Sequence, residues 1–429
     1  MAHVERSRLL LGVGYMMAMG VCGVVLTAIG SILDDVAKHC GTESTKIGSV
    51  FIARGAGAIA GAVLSATLYS PPRRGNQILK STLVALIALI MYLPFIRSIV
   101  VLHVVFTGLG FVTAVTDTGC QIMTRKTHGM QAGPWLGANT VVFGIAGAIV
   151  PVIDIVTSDT VTMCAVIATV ALLTFSTILA APHPEDPSMH KFLPARGGKK
   201  PSGSLGIGDW VRQYYMTEAL VGCTVFWLIG GKVLCSSYIE DYVVQTRIVP
   251  ASDKSFALMA VWVSIAVGRF GGLYDQILLN GLGASGVHIC YRHLSLWLAT
   301  GLFGSVLWRT TPRSPLAFWV GLCMYGLGNG PCVGYLYDLN NRLTPATETG
   351  MSIVMFGLNF GASVIPYAAT LLWEDAHLGP LVMSSTVLLT MALPLPLLML
   401  TRPINDLASI PSGLAASIPS KRGGLEELD

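Results

Sequence analysis

Charge is what this sequence has least of. Only 12% of its residues are Asp, Glu, Lys or Arg, against about a quarter in ordinary soluble domains. Hydrophobic residues make up 53% of the chain and its mean hydropathy is +0.65. A water-soluble globule of 429 residues could not hide that much apolar surface. Other absences narrow the class further. The nine cysteines form no C-x-x-C pair, so no zinc or disulfide framework is indicated, and they read as small packing residues. No basic stripe with interleaved aromatics is present, which argues against nucleic acid as a partner. There is no P-loop lysine motif to drive transport with ATP, and no H-E-x-x-H, G-x-S-x-G or Cys/His cluster to support an enzyme. No N-x-S/T sequon marks a glycosylated loop.

What is present is length in apolar runs. Polar stretches divide the chain into twelve apolar segments of about 20 residues, the length that crosses a bilayer core. The expected spans are 9–33, 46–70, 79–97, 99–123, 132–156, 161–181, 216–239, 254–279, 293–309, 315–338, 347–373 and 377–400. The separators carry charges or breakers, as in Pro71-Pro72-Arg73-Arg74-Gly75 and Arg125-Lys126. The opening apolar run is too long for a signal peptide and reads as the first span. The predicted organisation is a six-helix unit over 1–181, a cytoplasmic loop over 182–215, a second six-helix unit over 216–400 and a cytoplasmic tail over 401–429.

Lysine and arginine bias sets the orientation. With a cytoplasmic N-terminus, 17 of the 27 basic residues fall in inner segments, seven in outer segments and three within spans. Both termini are therefore expected in the cytoplasm, with the plasma membrane as the favoured location. The halves also echo each other. Arg54 and Arg269 are 215 residues apart, as are Pro151 and Pro366, and Gly108-Leu109-Gly110 recurs as Gly326-Leu327-Gly328. Three landmarks at nearly one offset indicate a duplicated six-helix unit, a transporter architecture with its site at the midplane.

Twelve spans, a basic central loop and this duplication resemble the major facilitator superfamily. The resemblance is most specific in Gly108-Leu109-Gly110 through Asp117-Thr118-Gly119, in Gly230-Gly231-Lys232-Val233, and in Gly326-Leu327-Gly328 through Leu378-Gly379-Pro380. Those stretches resemble the sodium-dependent glucose transporter branch, a relative of the fucose permeases. The loop signature of the superfamily is degraded: Ser65 stands where an Asp is usual, while Arg73-Arg74-Gly75 remain. The second half keeps Gly271 and Asp275 but lacks the following basic group. The resemblance implies an all-α membrane protein, twelve transmembrane helices in two pseudo-symmetric six-helix bundles, working as a secondary-active or facilitative transporter by alternating access; a monomer is the expected oligomeric state. It also implies a small polar solute, with a sugar favoured and an organic anion or amino acid as the alternative. A non-transporting receptor or scaffold is the rival from another class.

A charge at the bilayer centre costs about 2.5–3.5 kcal/mol on insertion scales, so each intramembrane charge needs a reason. Arg54 and Arg269 could bind solute through the guanidinium fork, tie neighbouring helices, or snorkel to an interface. Asp275 lies six residues beyond Arg269 on the same helix, and the two read as a gating pair. Lys232 stands where the resembled sugar carriers place Glu or Gln; it donates hydrogen bonds but accepts none, which favours a solute with an acceptor or negative charge. Asn139, Asn329 and Asn359 can donate and accept, as sugar hydroxyls require. Asp117 is the candidate carboxylate for coupling to Na⁺ or H⁺, with Asp34 at the outer end of span 1 as a second; either could also be an ordinary helix-end carboxylate. No other cofactor is expected.

Overall fold

The computed structural model describes residues 2–41, 49–71, 74–157, 160–180, 207–281, 286–311, 313–344, 347–373, 379 and 381–401. Thirteen α-helices and no strands occupy these residues: α1 (Ala2–His39), α2 (Ser49–Leu68), α3 (Gly75–Tyr92), α4 (Ile99–His128), α5 (Ala132–Thr157), α6 (Thr160–Ala180), α7 (Ile207–Thr246), α8 (Lys254–Gly281), α9 (Val287–Thr310), α10 (Pro315–Leu343), α11 (Glu348–Trp373), α12 (Leu381–Ala392) and α13 (Pro394–Leu400). The last two form one span, broken where Pro394 cannot supply a backbone N–H. Helices satisfy their own backbone groups, the condition for crossing lipid. Ten of the helical stretches are long and apolar enough to do so. Val104, Leu173, Phe270, Phe303 and Leu316 are exposed on the outer surface. Apolar surface on this scale suits acyl chains and not water. The chain is a multi-pass membrane protein.

The packing is duplicated. In the first half α1 packs on α5, α2 on α4, and α3 on α4 and α6; in the second α7 packs on α11, α8 on α10, and α9 on α10 and α12. Each pairing recurs six helices later. Small residues set the closest crossings, because only they let backbones meet. A Cβ on Gly57 would lie 2.0 Å from the Thr107 carbonyl oxygen, and one on Gly110 would lie 2.0 Å from that of Arg54. The counterpart crossing repeats this, with Gly268 at 2.2 Å from the Leu327 oxygen and Gly330 at 2.4 Å from that of Ile265. The halves meet where α2 packs on α11 and α5 on α8 and α10.

Some boundaries differ from expectation. Helix α7 begins at Ile207, inside the stretch 182–215 read as loop, and α1 runs well beyond 9–33 to His39. A helix does not stop at the edge of the hydrocarbon; it continues while the sequence tolerates it, and neither segment holds a proline there. Residues 181–206 and the tail 402–429 lie outside the described residues. Because the helices alternate in direction, the start of α1, the end of α6, the start of α7 and the end of α13 share one face, the terminal side. On the opposite side, Asp35 ties α1 to α6 by accepting from the Thr160 hydroxyl at 2.8 Å, and it pairs with Lys38 at 3.1 Å. Those two bonds hold the Asp35 carboxyl below its ordinary range.

Candidate solute site between the halves

Four intramembrane charges come from four helices: Arg54 from α2, Asp117 from α4, Lys232 from α7 and Arg269 from α8. At a rise of about 1.5 Å per residue, Asp117, Arg269 and Arg54 lie roughly 16, 18 and 21 Å from the terminal-side ends of their helices, close to mid-depth. Two of the cations, Lys232 and Arg269, do not turn out toward lipid. Lys232 Nζ and Arg269 Cζ lie 5.9 and 5.8 Å from the centroid of the same ring, Phe143 on α5. Both side chains are only 5% exposed. The Phe143 ring therefore bridges the halves, since it offers its π-system to two cations of the other half.

Arg269 reaches further, donating from Nη1 to the Thr140 carbonyl at 2.5 Å on α5. Gly144 makes room for it: a Cβ there would sit 2.4 Å from Nη1. Asp117 accepts from Gln121 Nε2 at 3.4 Å and interacts electrostatically with Lys232 across the interface. Tyr337 on α10 feels the charges of both Asp117 and Arg269. Cys22 on α1 lies within the fields of Asp117 and Arg54. Asp117 and Arg54 are partly exposed, whereas Lys232 and Arg269 are buried. Gln121 Oε1 and Thr118 Oγ1, beside Asp117, are buried without a hydrogen-bond partner, as are Arg54 Nε and Arg269 Nε.

Other candidates have other uses in this conformation. Asn139 donates to Thr124 Oγ1 at 3.1 Å and joins α5 to α4. Asn329 donates to the Leu228 carbonyl at 3.1 Å and lies 3.6 Å from Met391 Sδ, which joins α10 to α7 and α12. Asn359 donates to the Met355 carbonyl one turn back in its own helix. The expected gating pair is not formed. Asp275 accepts from Tyr335 OH at 2.5 Å and pairs with His293 Nδ1 at 2.6 Å, both within the second half, while Arg269 crosses to α5. Asp34 lies in α1, and its side chain is outside the described residues.

Sequence reasoning missed the closure on the terminal side. Arg125, 2% exposed at the end of α4, donates from Nε to Asn341 Oδ1 at 3.0 Å and from Nη2 to the Thr344 carbonyl at 3.4 Å. Asn341 Nδ2 returns a bond to the Gly129 carbonyl at 3.1 Å, and Lys126 pairs with Glu348 at 2.6 Å. Asp338, held by Arg342 Nε at 2.9 Å, presses its carboxylate over Gly133, where a Cβ would meet Oδ1 at 2.3 Å. These contacts join α4 and α5 of one half to α10 and α11 of the other.

No family model and no curated protein sequence matches the chain. Solved structures do match its shape. The fucose transporter FucP in its outward conformation superposes with a TM-score of 0.68 at 14% identity, covering 92% of this chain and 99% of that one. The proton:xylose symporter XylE gives 0.70 at 11% identity, covering 93% and 95%. The human organic anion transporter MFSD10 gives 0.66 at 12% identity, covering 91% and 99%. Two packed six-helix halves with charges meeting between them define a polytopic membrane protein with a central interface. Its fold is the major facilitator fold, as the resemblance implied.

Proposed function

We propose that this chain is a secondary transporter that carries a small polar solute across a membrane by alternating access. The solute would bind among Arg54, Asp117, Phe143, Lys232 and Arg269. One observation carries this reading: Lys232 and Arg269 of the second half converge on the Phe143 ring of the first, with Asp117 of the first half in the field of Lys232, where no structural need puts them. A bilayer-spanning scaffold gains nothing from desolvating four ionised groups. A site built half on each side of a parting interface, by contrast, must exchange its contacts whenever the halves rock.

The Arg125 contacts close the terminal side, so the conformation is one that opens to the opposite face. With both termini in the cytoplasm, as the basic-residue bias indicates, it corresponds to an outward-facing or occluded state. Asp117 is the coupling group. Proton coupling is supported by the E. coli fucose and the xylose symporters that share the fold. The unpartnered Gln121 Oε1 and Thr118 Oγ1 beside Asp117 are oxygens that a Na⁺ ion would equally use. Two of the structural relatives carry sugars and one carries organic anions, so both solute classes belong in the test.

The test is uptake into proteoliposomes of radiolabelled fucose, xylose, glucose and small organic anions, under an imposed H⁺ or Na⁺ gradient. Saturable, gradient-stimulated uptake of a panel member is the expected result. A ligand that shifts the melting temperature yet shows neither uptake nor counterflow would instead make the protein a receptor.

A further inference from the structure

We infer that the solute is a small organic anion, recognised through a carboxylate or phosphate group held between Lys232 and Arg269; this rests on the transporter reading above. The argument is one of charge and of donor inventory. Arg54, Lys232 and Arg269 bring three positive charges to the interface, and Asp117 brings one negative charge. Lys232 and Arg269 lie close enough to repel each other, and Lys232 is also attracted by Asp117. Two like charges on neighbouring helices, both nearly buried, have an aromatic face as their shared neighbour. A ring quadrupole only partly offsets such charges, so the site has an excess of positive charge.

The hydrogen bonds point the same way. Among the described residues neither the Lys232 ammonium nor the Arg54 guanidinium finds a hydrogen-bond partner, and Arg54 Nε is buried. Arg269 spends Nη1 on the Thr140 carbonyl and leaves Nε unpartnered. Ammonium and guanidinium groups only donate. A neutral sugar could accept from these groups, but each of its hydroxyls must also place an O–H donor, and it would leave the charge excess in place. An anionic head group accepts from all of these donors and neutralises them; the fork of Arg269 beside a point charge at Lys232 matches the oxygens of a carboxylate or phosphate. The asparagines that would have suited sugar hydroxyls, Asn139 and Asn329, are bonded to neighbouring helices. Phe143 completes the wall on which the apolar part of such a solute would rest.

The experiment uses the purified full-length protein in proteoliposomes with radiolabelled lactate, succinate, glutamate, inorganic phosphate and glucose 6-phosphate, against glucose, fucose and xylose. Saturable uptake of at least one anion, competed by unlabelled anion and not by equal glucose, is expected. Lys232→Gln and Arg269→Gln should each lower its kcat/KM by tenfold or more, and Lys232→Arg should restore part of the loss. The wild-type comparison of anion with neutral solute does not depend on any variant folding. Uptake confined to the neutral sugars overturns the anion inference and leaves the transporter reading intact. No anion uptake by the wild type also overturns it. If, in addition, no sugar moves and labelling of the central cysteine Cys22 is the same from both sides under every gradient, the transporter reading falls with it.

Discussion

At the residue scale, removal of the Asp117 carboxylate should, under the proposed function, separate binding from coupling. The carboxylate interacts electrostatically with Lys232, Tyr337 and Cys22 on three other helices and, among the described residues, accepts only from Gln121 on its own. Asp117→Asn keeps the volume and removes the charge. Counterflow of solute should persist in this variant, while stimulation by a H⁺ or Na⁺ gradient disappears; unchanged stimulation would move the coupling role elsewhere. Asp35 makes a different kind of prediction. Its carboxyl is held below its ordinary range by Thr160 and Lys38, so its contribution is present above pH about 4 and is lost as pH falls through the lowered value. The group is half exposed, which keeps the effect below about 1 kcal/mol. The melting temperature of Asp35→Asn should therefore lie slightly below that of the wild type at pH 7, and the gap should narrow progressively as the pH falls below about 4.

At the scale of helices, fit between backbones sets stability. A Cβ at Gly57 would collide with a carbonyl oxygen of α4, which cannot rotate away, whereas one at Gly108 would only touch Leu89 Cδ1 at 3.3 Å. Gly57→Ala should cost about 1–3 kcal/mol through forced separation of α2 from α4, and Gly108→Ala should be near neutral. Thermal unfolding of the two variants in detergent reads the difference, and equal melting temperatures would refute this account of the crossing. The twelve spans were legible in the sequence because bilayer thickness fixes their length and charge marks their separation. Helix ends were not, because α1 and α7 continue past the hydrocarbon where composition no longer distinguishes helix from loop. Arg54, Lys232 and Arg269 stood out as charges within apolar runs. Phe143 did not, since one aromatic in an apolar helix looks like any other. Asn139 and Asn329 could be read either as ligands or as ties, and only the neighbouring helix decides between them. Arg125 read as a loop cation until the fold placed Asn341 and Thr344 against it.

At the scale of the whole molecule, alternating access requires two arrangements of the halves separated by a few kcal/mol. Under the proposed function, the terminal-side contacts define one of them. Arg125 is their centre: nearly fully buried, it bonds the side chain of Asn341 and the carbonyl of Thr344 across the interface. A hydrogen bond from a charged group contributes about 1.5–3 kcal/mol, and these bonds must break when the terminal side opens. Arg125→Ala should therefore favour the opposite state by about 2 kcal/mol, roughly thirty-fold in population. The pair Lys126–Glu348 crosses the same interface, but Lys126 is 26% exposed. Lys126→Ala should shift the balance by less than about 1 kcal/mol. A reporter at Thr140→Cys, in a background without other cysteines, lies buried against Gly334 in the closed interface. A membrane-impermeant maleimide applied from the terminal side should label it at least tenfold faster in the Arg125→Ala background. Lys126→Ala should change that rate by only a few-fold. If both substitutions leave the rate unchanged, Arg125 does not hold the halves together, and the closure must lie in the helix packing of α5 on α8 and α10.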